Sequence, residues 1–521
     1  MNKGKKKSGK VVFKNYQQHQ LQLLPPSLEE LIGANHLVRV VNGFIDRIDF
    51  KILEQGYKGG GTSSYHPRMM LKVLIYGYCV KLYSCRRIAQ ALRENIHFMW
   101  LSAGQHPDFR TINNFRSGTL KPIIEKVFSS LLDLLIEEGY VRLENYFVDG
   151  TKLQADANRH TAVWAKNTKR YKENLQIKVK EILAEIDEQN RIEDELYGEN
   201  DLEAEGENST LTSDQIAQRA DQLNESLSHT PDTKSRKKRT QAERKLRQAA
   251  QRMQHYEQQE RILGGRNSYS KTDHDACFMR MKDGQFLPAY NVIQGTENQF
   301  IVNYTISQSS GEAHLLINHL KQLYARVGKL PENIVADAGF GSEENFHYLS
   351  DKSTAYLKYT GYYTEQTTKH KQDQFHRDNM SYDPVTDSFT CPDGRQLKRK
   401  EEITKTTPRG YQVTHLTYEC TDCSGCSLAS ACKRPDISKR RITFSPSWDR
   451  YKKEAKERLA SEKGIKLRKQ RSVDVESTFG NIKHNKGYHR FRLRGLEKVN
   501  IDWGLIAISH NLRKLATKAA A

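Results

Sequence analysis

Three acids, one lysine and a run of cysteines are the side chains of this sequence whose types and spacing can do chemistry. Asp149 follows the apolar run Tyr146-Phe147-Val148, and Asp337 follows Ile334-Val335-Ala336. An acid at the end of an apolar strand is costly unless it is paired or bound to metal. For Asp149 the alternative is an Asp-Gly hairpin turn, although the residues after Gly150 do not alternate like a return strand. Glu476 and Lys483 are close to two helical turns apart, so they share one helix face. A carboxylate there can hold a divalent ion and the lysine can meet a phosphate. Arg471, Lys486, His489, Arg490, Arg492 and Arg494 surround them. The alternative is an ordinary solvated basic helix. Cys391, Cys420, Cys423, Cys426 and Cys432 form the second group. Cys-x2-Cys spacing suits tetrahedral zinc. Five thiols compete for four places, with Cys391, Cys423, Cys426 and Cys432 favoured and Cys420 the alternate. Redox cysteines are the other reading, but no thioredoxin-like context surrounds them.

Composition narrows the partners. The 521 residues carry a net charge of +20, which suits a polyanion, nucleic acid first. A membrane surface is a poorer partner because the basic residues are spread along the chain. No run of about 18 apolar residues offers a transmembrane span. The opening MNKGKKKSGK lacks the apolar core of a secretory signal and reads as a mobile basic arm over residues 1–10. Crowded cysteines in such a chain read as reduced metal ligands rather than a disulfide scaffold.

The elements that must position these groups follow from periodicity. Residues 11–138 read as helical. Within them, Ser84 precedes a short helix carrying Arg86 and Arg87. PDFRTINNFR (107–116) offers a second, with Thr111 as N-cap and Arg116 outward. Two short helices with basic faces fit a helix-turn-helix-like DNA reader; a plain helical bundle is the alternative. Residues 165–262 differ in composition. Leu175, Val179, Ile182 and Ile186 make a coiled-coil-like seam. An acidic stretch, a polar tip near 226–233 and a basic run from Lys234 follow. The segment reads as an antiparallel helical hairpin, either a gripping arm or a solvated insertion. Strands are expected at 276–281, 289–293, 300–306 and 334–336, and helices at 311–327 and after Ser342. The order is that of an RNase H-like mixed sheet. Residues 361–439 form a small zinc-binding insertion. The catalytic domain is then 139–164, 263–360 and 440–521.

YFVDGT, VADAGFGSEEN and VESTFGNIKHNKGYHRFRLRGLEKV resemble the three acidic blocks of bacterial insertion-sequence DDE transposases. The insertion-sequence eleven-eighty-two group of the IS-four-like superfamily is the branch most resembled. SYHPRMMLKVLIYGY, SCRRIAQALREN and PDFRTINNFR are similar to the InsH-type transposase N-terminal domain, and the cysteine module resembles one carried by that group. Together these cover nearly the whole chain outside 1–10 and 165–262.

The resemblance implies a fold, a reaction and a set of roles. Asp149, Asp337 and Glu476 match the three catalytic acids and would hold two Mg²⁺ ions, with Mn²⁺ a substitute. Lys483 matches a phosphate-binding lysine. Arg471 stands one residue further from the glutamate than the superfamily signature asks, and no tyrosine precedes it at the matching place. Arg86, Arg87, Arg116, Arg471, Lys486, Arg490 and Arg492 are the expected DNA contacts. The implied function is cleavage of double-stranded DNA at the ends of an insertion sequence and joining to target DNA. The implied assembly is a homodimer on DNA in the bacterial cytoplasm, at the nucleoid. A catalytically inactive DNA-binding regulator and a metal-dependent nuclease without strand transfer are the alternatives.

Overall fold

The computed structural model describes residues 27–57, 64–197, 210–227 and 233–519. The basic arm at 1–10, most of the acidic stretch and most of the polar tip lie outside these residues. Among the described residues no helix is long and apolar enough to cross a membrane.

The centre is a six-stranded mixed sheet. Its first strand, β1 (Asn145–Gln154), is followed by the short pair β2 (Ala162–Trp164) and β3 (Ser268–Ser270), which form a separate ribbon. The main sheet continues with β4 (Cys277–Arg280), β5 (Phe286–Glu297), β6 (Phe300–Ser307), β7 (Asn333–Ala336) and β8 (Thr354–Leu357). The strand order is β4-β5-β1-β7-β8, with β6 also paired to β5. β5 runs antiparallel to β1, β4 and β6, whereas β7 is parallel to both β1 and β8. A mixed sheet of this kind is consistent with an RNase H-like domain. β1 does not stop at Asp149, contrary to the expectation from its apolar run. It continues to Gln154, with Asp149 paired to Gln294 and Gln154 to Ala289. The long β5 supplies backbone partners past the acid, so no turn forms at Asp149-Gly150.

Seven helices lie between residues 37 and 137. The helix Pro67–Cys79 is buried along most of its length, as its apolar sequence requires. The C-terminal helix, Leu496–Ala519, packs on it, on Leu37–Arg47, on Ile124–Glu137 and on β6. Trp503, Leu505, Ile506 and Leu512 of that helix are fully buried. The N-terminal helices and the sheet therefore share one continuous hydrophobic core. The helix Phe109–Asn114 is capped by Asp108, whose carboxylate accepts from Thr111 N–H at 2.7 Å. The sequence expectation had placed the cap on Thr111; Asp108 instead offers a charged acceptor to the first turn.

Among the described residues the 165–262 insertion holds three helices, Ala165–Tyr197, Ser213–Ser226 and Thr233–Leu263, where two were expected. The middle one opens with a capping box between Thr212 and Gln215. Leu175, Val179 and Ile186 are buried against Ile216, Leu223, Leu246 and Met253, with Ile182 half-buried, so the expected seam is filled from three sides. The cysteine-bearing module is a five-stranded antiparallel sheet of β9 (Ser381–Asp383), β10 (Ser388–Thr390), β11 (Gln396–Thr406), β12 (Gln412–Cys420) and β13 (Arg441–Phe444). Its small core contains Met380, Phe389, Leu397, Tyr418 and Ile442.

Candidate active site

Sheet register brings the first two acids together. β1 and β7 pair in parallel up to Val148 and Ala336, so Asp149 and Asp337 are the next residue on each strand. Neighbouring strands lie about 4.8 Å apart, which makes these two carboxylates neighbours although 188 residues separate them in sequence. β7 and β8 pair up to Ala336 and Leu357, which sets Lys358 at the same level on the third strand. Its ammonium lies 3.4 Å from Asp337 Oδ1. Asp337 also caps a short 3₁₀ turn, accepting from Ala338 N–H at 2.8 Å.

The third acid arrives on a helix with an unusual winding. Residues 472–476 and 481–485 are π-helical turns flanking the short α-helix Ser477–Gly480. A π turn bonds i to i+5 and so places residues five apart on one face. Arg471 and Glu476 are five apart, and Arg471 Nη1 donates to Glu476 Oε1 at 2.7 Å. The one-residue excess noticed in the sequence is thus absorbed by the winding. Asp474 fixes this segment to the sheet. It is buried and accepts from Thr296 Oγ1 at 2.6 Å and from Gln299 N–H at 2.8 Å.

Arg471 gathers the site. Besides Glu476, its Nη2 lies 3.0 Å from Asp149 Oδ1 and 3.8 Å from Asp337 Oδ2. Its side chain is buried, with only 8% exposed. Burial raises the Asp149 pKa, and the Arg471 charge opposes that shift. Burial also works to raise Asp337, but the Ala338 N–H, Arg471 and Lys358 outweigh it and hold the group below its ordinary value. Lys483 does not pair with Glu476. Its Nζ donates to Thr151 Oγ1 at 2.5 Å and to Lys152 O at 3.4 Å on β1, two and three residues past Asp149. Burial, then the Lys282 charge, bring its pKa down to about 8, with Asp149 opposing.

Several residues at this site were not anticipated from the sequence. Lys358 follows an apolar run, as both aspartates do, and that was the available signal. Gln294 lies directly across from Asp149 in the register, on the same face of the sheet. It is fully buried with neither amide atom hydrogen-bonded. Glu312, just after β6, lies against the backbone of Gly150 and Gly339; nothing in the sequence marks it.

The expected DNA contacts separate into two groups. Arg86, Arg87 and Arg492 are exposed and line an open cleft of about 880 Å³, together with Lys81, Arg110 and Phe109. Arg86 and Arg110 both lie over the Phe109 ring. No acidic residue lines the cleft. Arg116 and Lys486 border the same cleft, but both are buried at its floor and are not exposed cations. The π turn Phe115–Thr119 directs Arg116 inward, where it donates to Tyr83 O at 2.9 Å and Asn113 Oδ1 at 3.1 Å. Lys486 is 3% exposed and its Nζ has no hydrogen-bond partner. The loop after Lys483 is pinned by buried Asp502, which accepts from Tyr78 and Tyr488 hydroxyls, each at 2.5 Å, and from Arg492 N–H at 2.7 Å. That clamp turns the Lys486 side chain inward. Arg490 is half-exposed and paired with Asp156 at 2.9 Å, and Arg471 belongs to the acids.

All five cysteines border one small cavity, which Arg395, Lys433 and Arg440 also line. Cys423 Sγ accepts from Arg440 N–H at 3.4 Å, while Cys420 Sγ donates to Asp422 O at 3.2 Å. Among the described residues, the one set of three His, Cys, Asp or Glu side chains with ligand atoms converged within 4.8 Å is His370, His376 and Asp378. Neither the three acids nor the thiols are drawn that close.

Residues 390–516 match the family model described as a transposase DDE domain, and residues 26–118 match the model described as a transposase domain (DUF772). Both matched segments are those of transposases, and they support reading the chain as a DDE transposase. Glu476, Lys483 and the cysteine module fall within the first match; Asp149 and Asp337 lie outside both. No curated protein and no solved structure matches the chain.

Proposed function

We propose that the protein is a DNA transposase that binds the ends of an insertion sequence and catalyses metal-dependent strand cleavage and strand transfer. The observation that carries this reading is the gathering of Asp149 from the middle of β1, Asp337 from the end of β7 and Glu476 from its helix around Arg471. Three oxygen donors with no sulfur or imidazole fit a hard divalent cation, Mg²⁺ with Mn²⁺ as substitute. Two such ions supply charge stabilisation at the attacking and leaving oxygens of an in-line phosphoryl transfer. Asp149, Asp337 and Glu476 would hold the ions between them. Arg471 keeps the carboxylates together before an ion takes them. Lys483, held on β1 beside Asp149, contacts the phosphate being cut. Lys81, Arg86, Arg87, Arg110 and Arg492 carry the flanking DNA backbone. A homodimer on DNA is the assembly in which paired element ends would be processed.

The test is a cleavage assay on linear duplex carrying the flanking element ends, with Mg²⁺, resolved for nicked, hairpin and joined products. Joined products support the reading. Cleavage without joining points to a nuclease, and binding without cleavage to a regulator.

For the cysteine module the same reading assigns one structural zinc to Cys391, Cys423, Cys426 and Cys432. Cys420 is set apart by its own hydrogen bond to Asp422 O. Replacing Cys423 or Cys426 by Ser should lose the zinc and loosen residues 381–444, because structural zinc contributes folding free energy. Absence of zinc from reduced protein would refute it.

A further inference from the structure

Gly150 and Gly339 follow the first two acids by one and two residues, and neither has the positive φ that demands glycine. Space explains them instead. A Cβ on Gly150 would stand 2.3 Å from Glu312 Oε1, and one on Gly339 would stand 2.5 Å from Glu312 Oε2. Both carboxylate oxygens of one side chain thus occupy room that two other residues would have filled. Side chains alternate across a strand, so Glu312 approaches from the face of β1 opposite to the Asp149 side chain and to the helix bearing Glu476. Asp149, Lys152, Asp337 and Arg471 are all close enough to act on it electrostatically. Its carboxylate has no hydrogen bond or ion pair among the described residues. A half-buried carboxylate set beside two others, with no partner of its own, costs free energy unless a cation completes it.

We propose that Glu312 is a fourth carboxylate of the divalent-cation site, binding an ion directly or through one water, on the side of Asp149 that Glu476 does not serve. The inference rests on the metal-dependent reading above. It gives the two glycines their purpose, which is to admit a ligand between the strand ends.

Binding of Mn²⁺ to the DNA-free full chain, followed by calorimetry and by electron paramagnetic resonance, tests it without recourse to activity. Glu312→Gln keeps the shape and removes the charge. It should weaken at least one Mn²⁺ site by about tenfold or more, and Glu312→Asp should weaken it less. Gly339→Ala, which displaces the carboxylate while leaving every ligand in the chain, should act in the same direction. The apo melting temperature of Glu312→Gln should equal or exceed that of the wild type, since like-charge repulsion is relieved. Unchanged Mn²⁺ affinity and stoichiometry in Glu312→Gln would overturn the proposal, provided Asp149→Asn abolishes binding. If Asp149→Asn also binds Mn²⁺ normally, the metal-site reading itself fails and this inference with it.

Discussion

Cations that the sequence groups together are sorted by the fold into two kinds. Arg471, Lys483, Arg116 and Lys486 are drawn into the protein, the last two at the floor of the cleft, whereas Lys81, Arg86, Arg87, Arg110 and Arg492 are exposed along it. Arg471, Arg116 and Lys486 are buried and Lys483 is half-buried, and three of the four are held by carboxylates, carbonyls or a hydroxyl at fixed distances. In the outer set Arg86, Arg110 and Arg492 lie over aromatic rings and no acid lines the cleft, although Asp108 is near enough to Arg110 to feel its charge. The difference separates two jobs that net charge alone cannot tell apart. Inner cations set geometry and local potential, while outer ones give affinity to a polyanion that is screened by salt.

The largest effect belongs at the centre of the inner set. Asp149→Asn, Asp337→Asn and Glu476→Gln should each lower single-turnover cleavage by about 10³-fold or more, because charge stabilisation dominates this chemistry. End binding should stay within a few-fold of wild type in gel-shift titrations. Arg471→Ala should also lower cleavage, and its melting temperature should respond to Mg²⁺ more than the wild type's, since freed carboxylates gain more from an ion. A substituted acid that cleaves at the wild-type rate would remove that residue from the site.

Lys483 comes next. Lys483→Ala should cost about 10²-fold in cleavage at saturating DNA with little loss of thermal stability, because its contribution is positioning a phosphate. With a pKa near 8, the amine is charged below that pH and neutral above it. Wild-type cleavage should therefore fall as pH rises through about 8, and Lys483→Arg should abolish that limb while recovering part of the activity. An alanine variant that melts early yet cleaves normally at low temperature would make the lysine structural.

The outer set should show smaller effects, and of another kind. Arg86→Ala with Arg492→Ala should weaken end binding by about tenfold and reduce the steepness of its salt dependence by about two counterions. Cleavage at saturating DNA should be nearly unchanged. An unaltered salt slope would show that this cleft does not carry the backbone.

Much of this arrangement is visible in the sequence because it is local. Two apolar runs each followed by an aspartate, the order of strands around them and the thiol cluster all follow from short stretches of residues. The continuation of β1 past Asp149 is not local: it depends on β5, more than 130 residues away, being long enough to pair with it. The inward turn of Arg116 depends on a π turn whose sequence, FRSGT, reads like any helix end. Glu312 has no periodic or strand-end signature, so only the crowding of Gly150 and Gly339 exposes it. The middle helix of the insertion, by contrast, carried a Thr-x-x-Gln capping box that periodicity alone passes over.

Lys486 offers the finest test of the division. The basic context predicted a DNA contact, yet its ammonium is buried near the Cys79 thiol and Arg513, with no hydrogen-bond partner. Burial is the main reason its pKa falls to about 7, with Arg513 adding to the shift and Cys79 opposing it. A lysine with a lower pKa folded than unfolded is a liability when charged. Below pH 7 both states hold the proton, and the full penalty is present. Between pH 7 and the unfolded value near 10.5, the unfolded chain binds more protons than the folded one, so stability rises with pH. Lys486→Met keeps the stem and removes the charge, and replacing an unpaired buried charge by an apolar group of similar length typically gains about 1–4 kcal/mol. The variant should therefore melt a few degrees higher than wild type at pH 6.5, and the gap should narrow by pH 9. Its DNA affinity and salt slope should match wild type, unlike those of Arg492→Ala. A variant that melts lower at pH 6.5, or that binds DNA as weakly as Arg492→Ala, would place Lys486 back among the outward cations.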